Sequence, residues 1–356
     1  MAGFNFPIES TKVAGVTKSF DLANPGQRKI YFHLKAGEEI KKIKTYLETN
    51  TFVALMIGKK GSGKGTYVGL MKEIFGDDKI AQISVGDITR VVFEEIKTKE
   101  GMDSLKNYLE KNYRGPISVD EALGAFVNKS QGRLLPTEFI LALITREIEK
   151  LPKKAIFIDG FPRSMDQVSY SLYLRQIINF RNDPDFLVMI DIPEAVIDAR
   201  IKTRVICAKC QTSRNVSLLP TTKIGFDEKT KEYYLICDKP GCGGGRMVRK
   251  EGDEQGIEPI RERLDTDQQL MMFIKDLYGI GKIYLRNAVP MEKAKELFDD
   301  YEITSEFFYE RDSFGKILVK SKAWVIKDDD GINSISLTAP VVVLSLIRQL
   351  SRLLPQ

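Results

Sequence analysis

Thr51-Phe-Val-Ala-Leu-Met-Ile-Gly58 runs directly into Lys59-Lys-Gly-Ser-Gly-Lys-Gly-Thr66, and the reading of this junction decides the fold. The first half is a short unbroken apolar run, the pattern of a strand covered on both faces. The second half sets Gly58, Gly61, Gly63 and Gly65 around Lys64 and Thr66 and opens a helix. A glycine-rich turn in that position reads as a phosphate cradle. Glycines let the backbone wrap an anion, N–H groups converge on it, and the helix dipole favours negative charge. Lys64 can then reach the terminal phosphates as a point charge. The expected cradle residues are Gly61, Ser62, Gly63, Lys64, Gly65 and Thr66. Gly65 departs from the general form, in which Ser or Thr follows the lysine directly. A plain Gly/Lys-rich turn is the alternative reading, and the strand-loop-helix setting disfavours it.

Working outward, Ala155-Ile-Phe-Ile-Asp159 and Phe186-Leu-Val-Met-Ile-Asp191 repeat the buried-strand pattern. A fourth strand is expected near Ala323-Trp-Val-Ile326. Helical stretches lie between, including Thr137–Lys150 and Pro193–Arg204. Strands alternating with helices predict an α/β fold, a parallel sheet between two helical layers. Asp159 ends its strand beside the cradle, the usual place for a carboxylate that holds magnesium through water. A solvated strand-end Asp is the bland alternative. Loop and carboxylate together predict an enzyme that uses a nucleoside triphosphate.

Composition excludes other chemistries. The 356 residues include one histidine, His33, and four cysteines. One histidine argues against a His-triad hydrolase or a multi-histidine metal centre, and four cysteines are too few for a disulfide-stapled secreted scaffold. His33 reads as a surface or packing residue. Lys and Arg number 54 against 49 acidic residues, a net charge of +5 that suits phosphate ligands but gives no argument for nucleic acid. Residues 1–15 show no signal peptide. The apolar run Val341–Ile347 gives way to Arg348 and Arg352, so it reads as a core-docking amphipathic helix. A cytoplasmic protein without membrane or nucleic-acid partners is the expectation.

Cys207-Ala-Lys-Cys210 and Cys237-Asp-Lys-Pro-Gly-Cys242 form paired knuckles separated by residues 211–236. Four thiolates from two short turns can surround one Zn²⁺ tetrahedrally and leave no open position for catalysis. Such a structural zinc would fold a segment too small to have a core of its own. Two disulfides are the alternative, although nothing points to an oxidising compartment.

These motifs resemble, in order, those of adenylate kinases and related nucleoside monophosphate kinases. Gly58-x-x-Gly61-x-Gly63-Lys64-Gly65-Thr66 has the form of that family's loop. Ile83-Ser-Val-Gly-Asp-Ile-Thr-Arg90 is similar to its Ser-Thr-Gly-Asp-x-x-Arg segment, and Gly132-Arg-Leu-Leu135-Pro to its acceptor-base loop. Asp159-Gly-Phe-Pro-Arg163-Ser with Gln167 is similar to its Asp-Gly-Phe-Pro-Arg-Thr signature. Asp191 and Arg200-Ile-Lys-Thr-Arg204 resemble the strand and helix leading into its lid, where many adenylate kinases bind zinc. The resemblance covers residues 51–264, with a looser match at 301–354.

The resemblance implies reversible transfer, ATP + AMP = 2 ADP, with Mg²⁺. It assigns Lys64 and magnesium to the donor phosphates, with Asp87 and Asp159 as the nearby carboxylates. Arg90 and Arg163 would grip the acceptor phosphate. Arg204, Arg249 and Arg263 would close around the transferring group, and Arg200 would stack on the donor base. Gly331 is a weaker candidate for backbone contact with the donor adenine. Val85, Gly86, Asp87, Leu135, Gly160 and Gln167, with Arg249 and Arg263, would complete the acceptor site, Gln167 reading the base. Arginine suits these roles through its planar fork and permanent charge. No general base is required, because the acceptor is already an anionic phosphate oxygen.

The implied organisation is a kinase core at 51–84, 133–204 and 301–356, an enlarged acceptor domain at 85–132 and a zinc lid at 205–250. Residues 1–50 and a helical insertion at 265–300 have no counterpart. Within the first segment, Ser19-Phe-Asp-Leu and Lys29-Ile-Tyr-Phe-His-Leu flank Asn24-Pro-Gly, which predicts a hairpin. Ile40, Ile43, Tyr46 and Leu47 then share a helical face. Val85 replaces the family's threonine in the acceptor pocket, so UMP or CMP stays open as acceptor. Glu251, Asp253 and Glu254 stand where the lid has an acidic pair. A slow nucleotide-dependent binding protein is the alternative of another class, and a monomer is the expectation.

Overall fold

The computed structural model describes residues 3–128, 135–178 and 183–355. Helix α1 (Pro25–Thr49) leads into strand β1 (Val53–Gly58), and the loop that follows opens α2 (Lys64–Phe75). After β2 (Ile80–Ser84) come α3 (Val85–Glu95), α4 (Lys99–Asn112), α5 (Val119–Val127) and α6 (Thr137–Glu149). Next are β3 (Ala155–Asp159), the short α7 (Met165–Leu172) and α8 (Leu174–Ile177), then β4 (Asp185–Asp191) and α9 (Glu194–Lys202). Two small antiparallel sheets follow. One joins β5 (Arg204–Cys207), β6 (Ser213–Asn215) and β9 (Met247–Arg249), and the other pairs β7 (Lys223–Asp227) with β8 (Glu232–Ile236).

The chain then returns through α10 (Arg261–Lys275) to β10 (Gly281–Arg286), which completes a five-stranded parallel sheet of order β10-β4-β1-β3-β2. Beyond it lie β11 (Ala288–Pro290), α11 (Met291–Leu297), the hairpin β12 (Ser305–Arg311) and β13 (Ile317–Ala323), then β14 (Val325–Lys327), β15 (Asn333–Ser336) and α12 (Ala339–Leu353).

The sheet is buried on both faces because β1 alternates between two cores. Val53, Leu55 and Ile57 face α3, α6 and α10 on one side. Ala54 and Met56 face α1, α2 and α12 on the other. Register puts Asp159 opposite both Met56 of β1 and Ser84 of β2, at the carboxyl edge of the sheet. Helix α12 buries Val341, Val342, Val343, Leu344, Leu346 and Ile347 against the second core. No described helix is long and apolar enough to cross a membrane.

Three expectations need correction. Residues 25–49 form a helix, not the arm of a hairpin. Asn24 is its N-cap, accepting N–H bonds from Gly26 and Gln27, and Pro25 occupies the first turn; the Asn-Pro pair starts a helix as readily as a turn. The run at Ala323–Ile326 does not supply a core strand. Trp324 and Ile326 belong to a separate small cluster with Val196 and Ile197, and β14 pairs antiparallel with β15 in a sheet of order β11-β15-β14. The segment 265–300 is not a helical insertion, since β10 lies within it and forms the fifth core strand. Ile283 and Leu285 are fully buried while Lys282, Tyr284 and Arg286 are only half-buried, a period of two that marks a strand.

Candidate active site

The cradle is built on two glycines that only a left-handed backbone admits, Gly61 at φ +86° and Gly63 at φ +96°. Ser62 is fully buried between them. Lys64, the first residue of α2, folds back so that Nζ donates to the carbonyls of Gly58 at 2.9 Å and Lys59 at 3.1 Å. The same ammonium lies 3.7 Å from Asp159 Oδ1. Burial pushes the Lys64 ammonium to a lower pKa, while Asp159 and Asp267 push it back up. Gly65 and Thr66 are exposed at the helix entrance.

Asp159 continues into Gly160, at φ +86°. A Cβ there would stand 2.6 Å from Arg163 Nη2, so only glycine lets that guanidinium fold over the turn. Gln167 Oε1 accepts the Arg163 backbone N–H at 2.8 Å. Partial burial and the neighbouring Arg263 lower the pKa of Arg163, against the opposing pull of Asp159 and Asp267. Gly86 is the meeting point of two arginines: a Cβ there would stand 3.8 Å from both Arg163 Nη2 and Arg90 Nη1. Arg90 also pairs with Asp87, one turn earlier on α3, whose N-terminus the Ser84 hydroxyl caps. Val85 is buried in the adjoining core and Leu135 packs on the same cluster. Residues 132–134 of the expected acceptor-base loop lie outside the described residues.

On α10, Arg263 pairs with Asp267 at 2.8 Å. Lys64, Asp159, Arg163 and Arg263 are thus gathered at one place, with Asp267 among them. The other expected cations stand apart. Arg204 is held by Asp253 through bonds of 2.6 and 2.7 Å, and Arg249 is exposed on β9. Arg200 lies 3.5 Å from Asn287 Oδ1, and burial lowers its pKa. Gly331 occupies the turn between β14 and β15 at φ +78°. Its neighbour Asp329 bonds Lys59 at 3.0 Å and accepts the Glu194 N–H at 2.8 Å, which ties that turn to the start of the cradle.

Sequence reasoning missed Asp267, Asn287 and Tyr67. Asn287 is fully buried, bonded to the Tyr67 hydroxyl at 3.2 Å and to Ser336 at 2.9 Å. A polar residue directly after the strand Gly281–Arg286 is the signal that would have found it. For Asp267 the signal was its place one helical turn after Arg263.

The four cysteines form a second cluster. Their sulfurs all lie within 4.8 Å of one another, with Cys207 and Cys242 at 3.5 Å and Cys210 and Cys237 at 3.6 Å. All four are free, and these spacings far exceed a disulfide bond of about 2.0 Å. Thiolates held at about 2.3 Å from one Zn²⁺ stand roughly 3.8 Å apart, so the set fits a metal ion. The Thr212 hydroxyl and amide hold the Cys210 thiol down to about 6. The β12–β13 hairpin packs on the same region: Phe307 donates its N–H to Ser217, Tyr309 bonds the Val216 carbonyl, and Arg311 covers the Phe226 ring at 4.7 Å.

No family model matches the chain. It is similar to an adenylate kinase of Lachnoclostridium phytofermentans, 27% identical over 248 residues that span 69% of this chain and 94% of that protein. Adenylate kinases of Clostridium acetobutylicum and Staphylococcus epidermidis match at the same 27% identity over 248 residues, 95% of each. The parallel sheet, the phosphate loop at the end of its central strand and these matches make the chain a P-loop phosphotransferase. Within that class its resemblance is to the adenylate kinases, of which it is a distant relative.

Proposed function

We propose that the chain transfers a phosphoryl group reversibly between ATP and AMP, giving two ADP. The observation that carries this reading is the convergence of Lys64, Arg163 and Arg263 beside Asp159, at the carboxyl edge of the sheet. The chemistry brings two polyanions into line. An oxygen of the acceptor monophosphate forms a bond to the γ-phosphorus as the bond to the β-bridging oxygen breaks. No proton has to leave the acceptor, so what the protein must supply is cancellation of charge and exclusion of water.

Gly61 to Thr66 and Lys64 cradle the donor phosphates, with Arg200 against the donor base. Asp159 and Asp87 suit Mg²⁺ held through water, where the ion would neutralise the bridging phosphate oxygens. Arg90 and Arg163 take the acceptor phosphate over Gly86. Gln167, already fixed on the Arg163 backbone, would read the acceptor base. Arg204 stands at the entry to the 205–250 lid and Arg249 within it, and Cys207, Cys210, Cys237 and Cys242 would hold that lid together around Zn²⁺. The helices of 85–132 form the second closing piece. Val85 favours one second reading, a UMP or CMP acceptor, because its buried side chain offers no hydroxyl to an adenine.

The test is a coupled assay of ADP release with ATP as donor and AMP, UMP, CMP and GMP as acceptors. AMP is expected to be turned over fastest. A preference for UMP or CMP would move the acceptor, and equal trace turnover of all four would overturn the enzyme reading.

A further inference from the structure

Asp267 sits where a phosphate-binding site least tolerates an anion. Its side chain is only 6% exposed, one turn beyond Arg263 on α10. One oxygen takes the Arg263 guanidinium at 2.8 Å, and the other accepts the backbone N–H of Lys60 in the phosphate loop at 2.9 Å. A single carboxylate therefore joins the helix that carries Arg263 to the loop that carries Lys64. An exposed i,i+4 pair would do no more than support its own helix. This one is enclosed and reaches a second element.

Electrostatics give the arrangement a purpose. Arg163 and Arg263 both lie close enough to lower the Lys64 pKa, and Arg263 lowers that of Arg163, while Asp267 and Asp159 oppose the effect. Clustered cations out of bulk water repel strongly, and an uncompensated set would spread apart before a ligand arrived. A resident carboxylate keeps them in place. It also repels an incoming polyphosphate, so its charge opposes ground-state binding while its bond keeps the Arg263 fork aimed.

We propose that Asp267 is a positioning residue that locks Arg263 onto the phosphate loop and acts as the counter-anion of the empty cradle, a role that rests on the kinase reading above. Two effects of opposite sign should follow from its removal. Asp267→Asn keeps an acceptor for the Lys60 amide and loses the charge. Inorganic tripolyphosphate, measured by calorimetry, should bind the variant about threefold or more tighter than wild type. The kcat should fall about tenfold while KM for ATP does not rise, because Arg263 is no longer held. In a Arg263→Ala background the same substitution should cost no further kcat, since residues acting as a unit are not additive.

Asp267→Glu guards against a folding artefact: it retains the charge, so its tripolyphosphate affinity should stay near wild type while kcat falls. Unchanged or weaker tripolyphosphate binding by Asp267→Asn, additive losses with Arg263→Ala, or equal affinity of the Asn and Glu variants would overturn the proposal. A wild-type protein that binds tripolyphosphate but phosphorylates no acceptor would sink the kinase reading instead, and the affinity comparison would still decide the counter-anion role.

Discussion

Lys64 Nζ lies 3.7 Å from Asp159 Oδ1, so the lysine that opens α2 after β1 faces the carboxylate that ends the neighbouring parallel strand β3. The ammonium meanwhile rests on the carbonyls of Gly58 and Lys59, positions it can leave when phosphate oxygens offer charge-assisted bonds. Lys64→Ala should therefore lower kcat by roughly 10²–10³. Its melting temperature should stay near wild type, because the lost bonds are to loop carbonyls that water can serve. Near-normal turnover in this variant would show that the loop is not the phosphate cradle.

The cysteine cluster predicts one zinc per chain after mild purification, measured by metal analysis. Thiolates are the ligating form, so acid should release the ion and a chelator should do so at neutral pH. Cys210→Ser should leave the 205–250 segment susceptible to protease while the parallel sheet keeps its circular dichroism. Substantially less than one zinc in the wild type, with no change in protease pattern on chelation, would remove the metal from the lid.

Three acidic residues competed for the lid role by sequence, and the structure separates them. Asp253 is buried and grips Arg204 with both oxygens, whereas Glu251 and Glu254 are exposed. A bidentate pair fixes the orientation of a guanidinium as well as its charge. Asp253→Ala is expected to lower kcat about tenfold by releasing Arg204, with Glu251→Ala and Glu254→Ala near wild type. Equal effects in all three variants would mean that the acidic run acts only through net charge.

What was legible in the sequence follows a physical pattern. β1, β3 and β4 are buried on both faces, so each reads as an unbroken apolar run, and the phosphate loop declares itself by its glycines. Strand β10 is the sheet's edge, with half-buried Lys282 and Tyr284 breaking its apolar run, and it passed for helix. The contacts of Asp267 and Asn287 were hidden for a different reason. Each depends on elements far apart in the chain, Lys60 with α10 and Tyr67 with the residue after β10, and local pattern carries no record of such meetings.

A pH-dependent part of stability resides between α3 and α6. Glu95 accepts both arms of Arg146, at 2.5 and 2.9 Å, and this bonding holds its carboxyl below the usual range. The folded pKa is the lower one, so the contribution is present above the unfolded value and is lost as pH falls through the folded value. Glu95 keeps a quarter of its side chain exposed, at 26%, so solvent screening limits the gain to about 1 kcal/mol. Glu95→Gln should lower urea stability by that amount at pH 7 and by much less in acid, once the pH has fallen through the folded pKa of Glu95 and the wild-type carboxylate is neutral as well. An equal deficit at both pH values would assign the effect to packing.

The N-terminal segment, which had no assigned purpose, packs on the body through an apolar face and several polar contacts, and one of these is an enclosed charge. The Lys35 ammonium on α1 is fully buried, 3.0 Å from Glu302 and 2.7 Å from Asp299. Glu302 is itself fully buried and also takes the hydroxyls of Tyr31 at 2.7 Å and Thr11 at 2.5 Å. Removing the cation strands an anion out of water, a change that costs about 3–5 kcal/mol. Lys35→Met should therefore lose about that much stability in urea titration. Adding Glu302→Gln should restore part of it, since the neutral amide can accept from Thr11 through its oxygen and donate to the Tyr31 oxygen through its NH2, without needing a counter-charge. The folded fraction should keep wild-type kcat, because neither residue contacts the cradle. A loss under about 1 kcal/mol for Lys35→Met would show that water or a rearranged Glu302 compensates the charge.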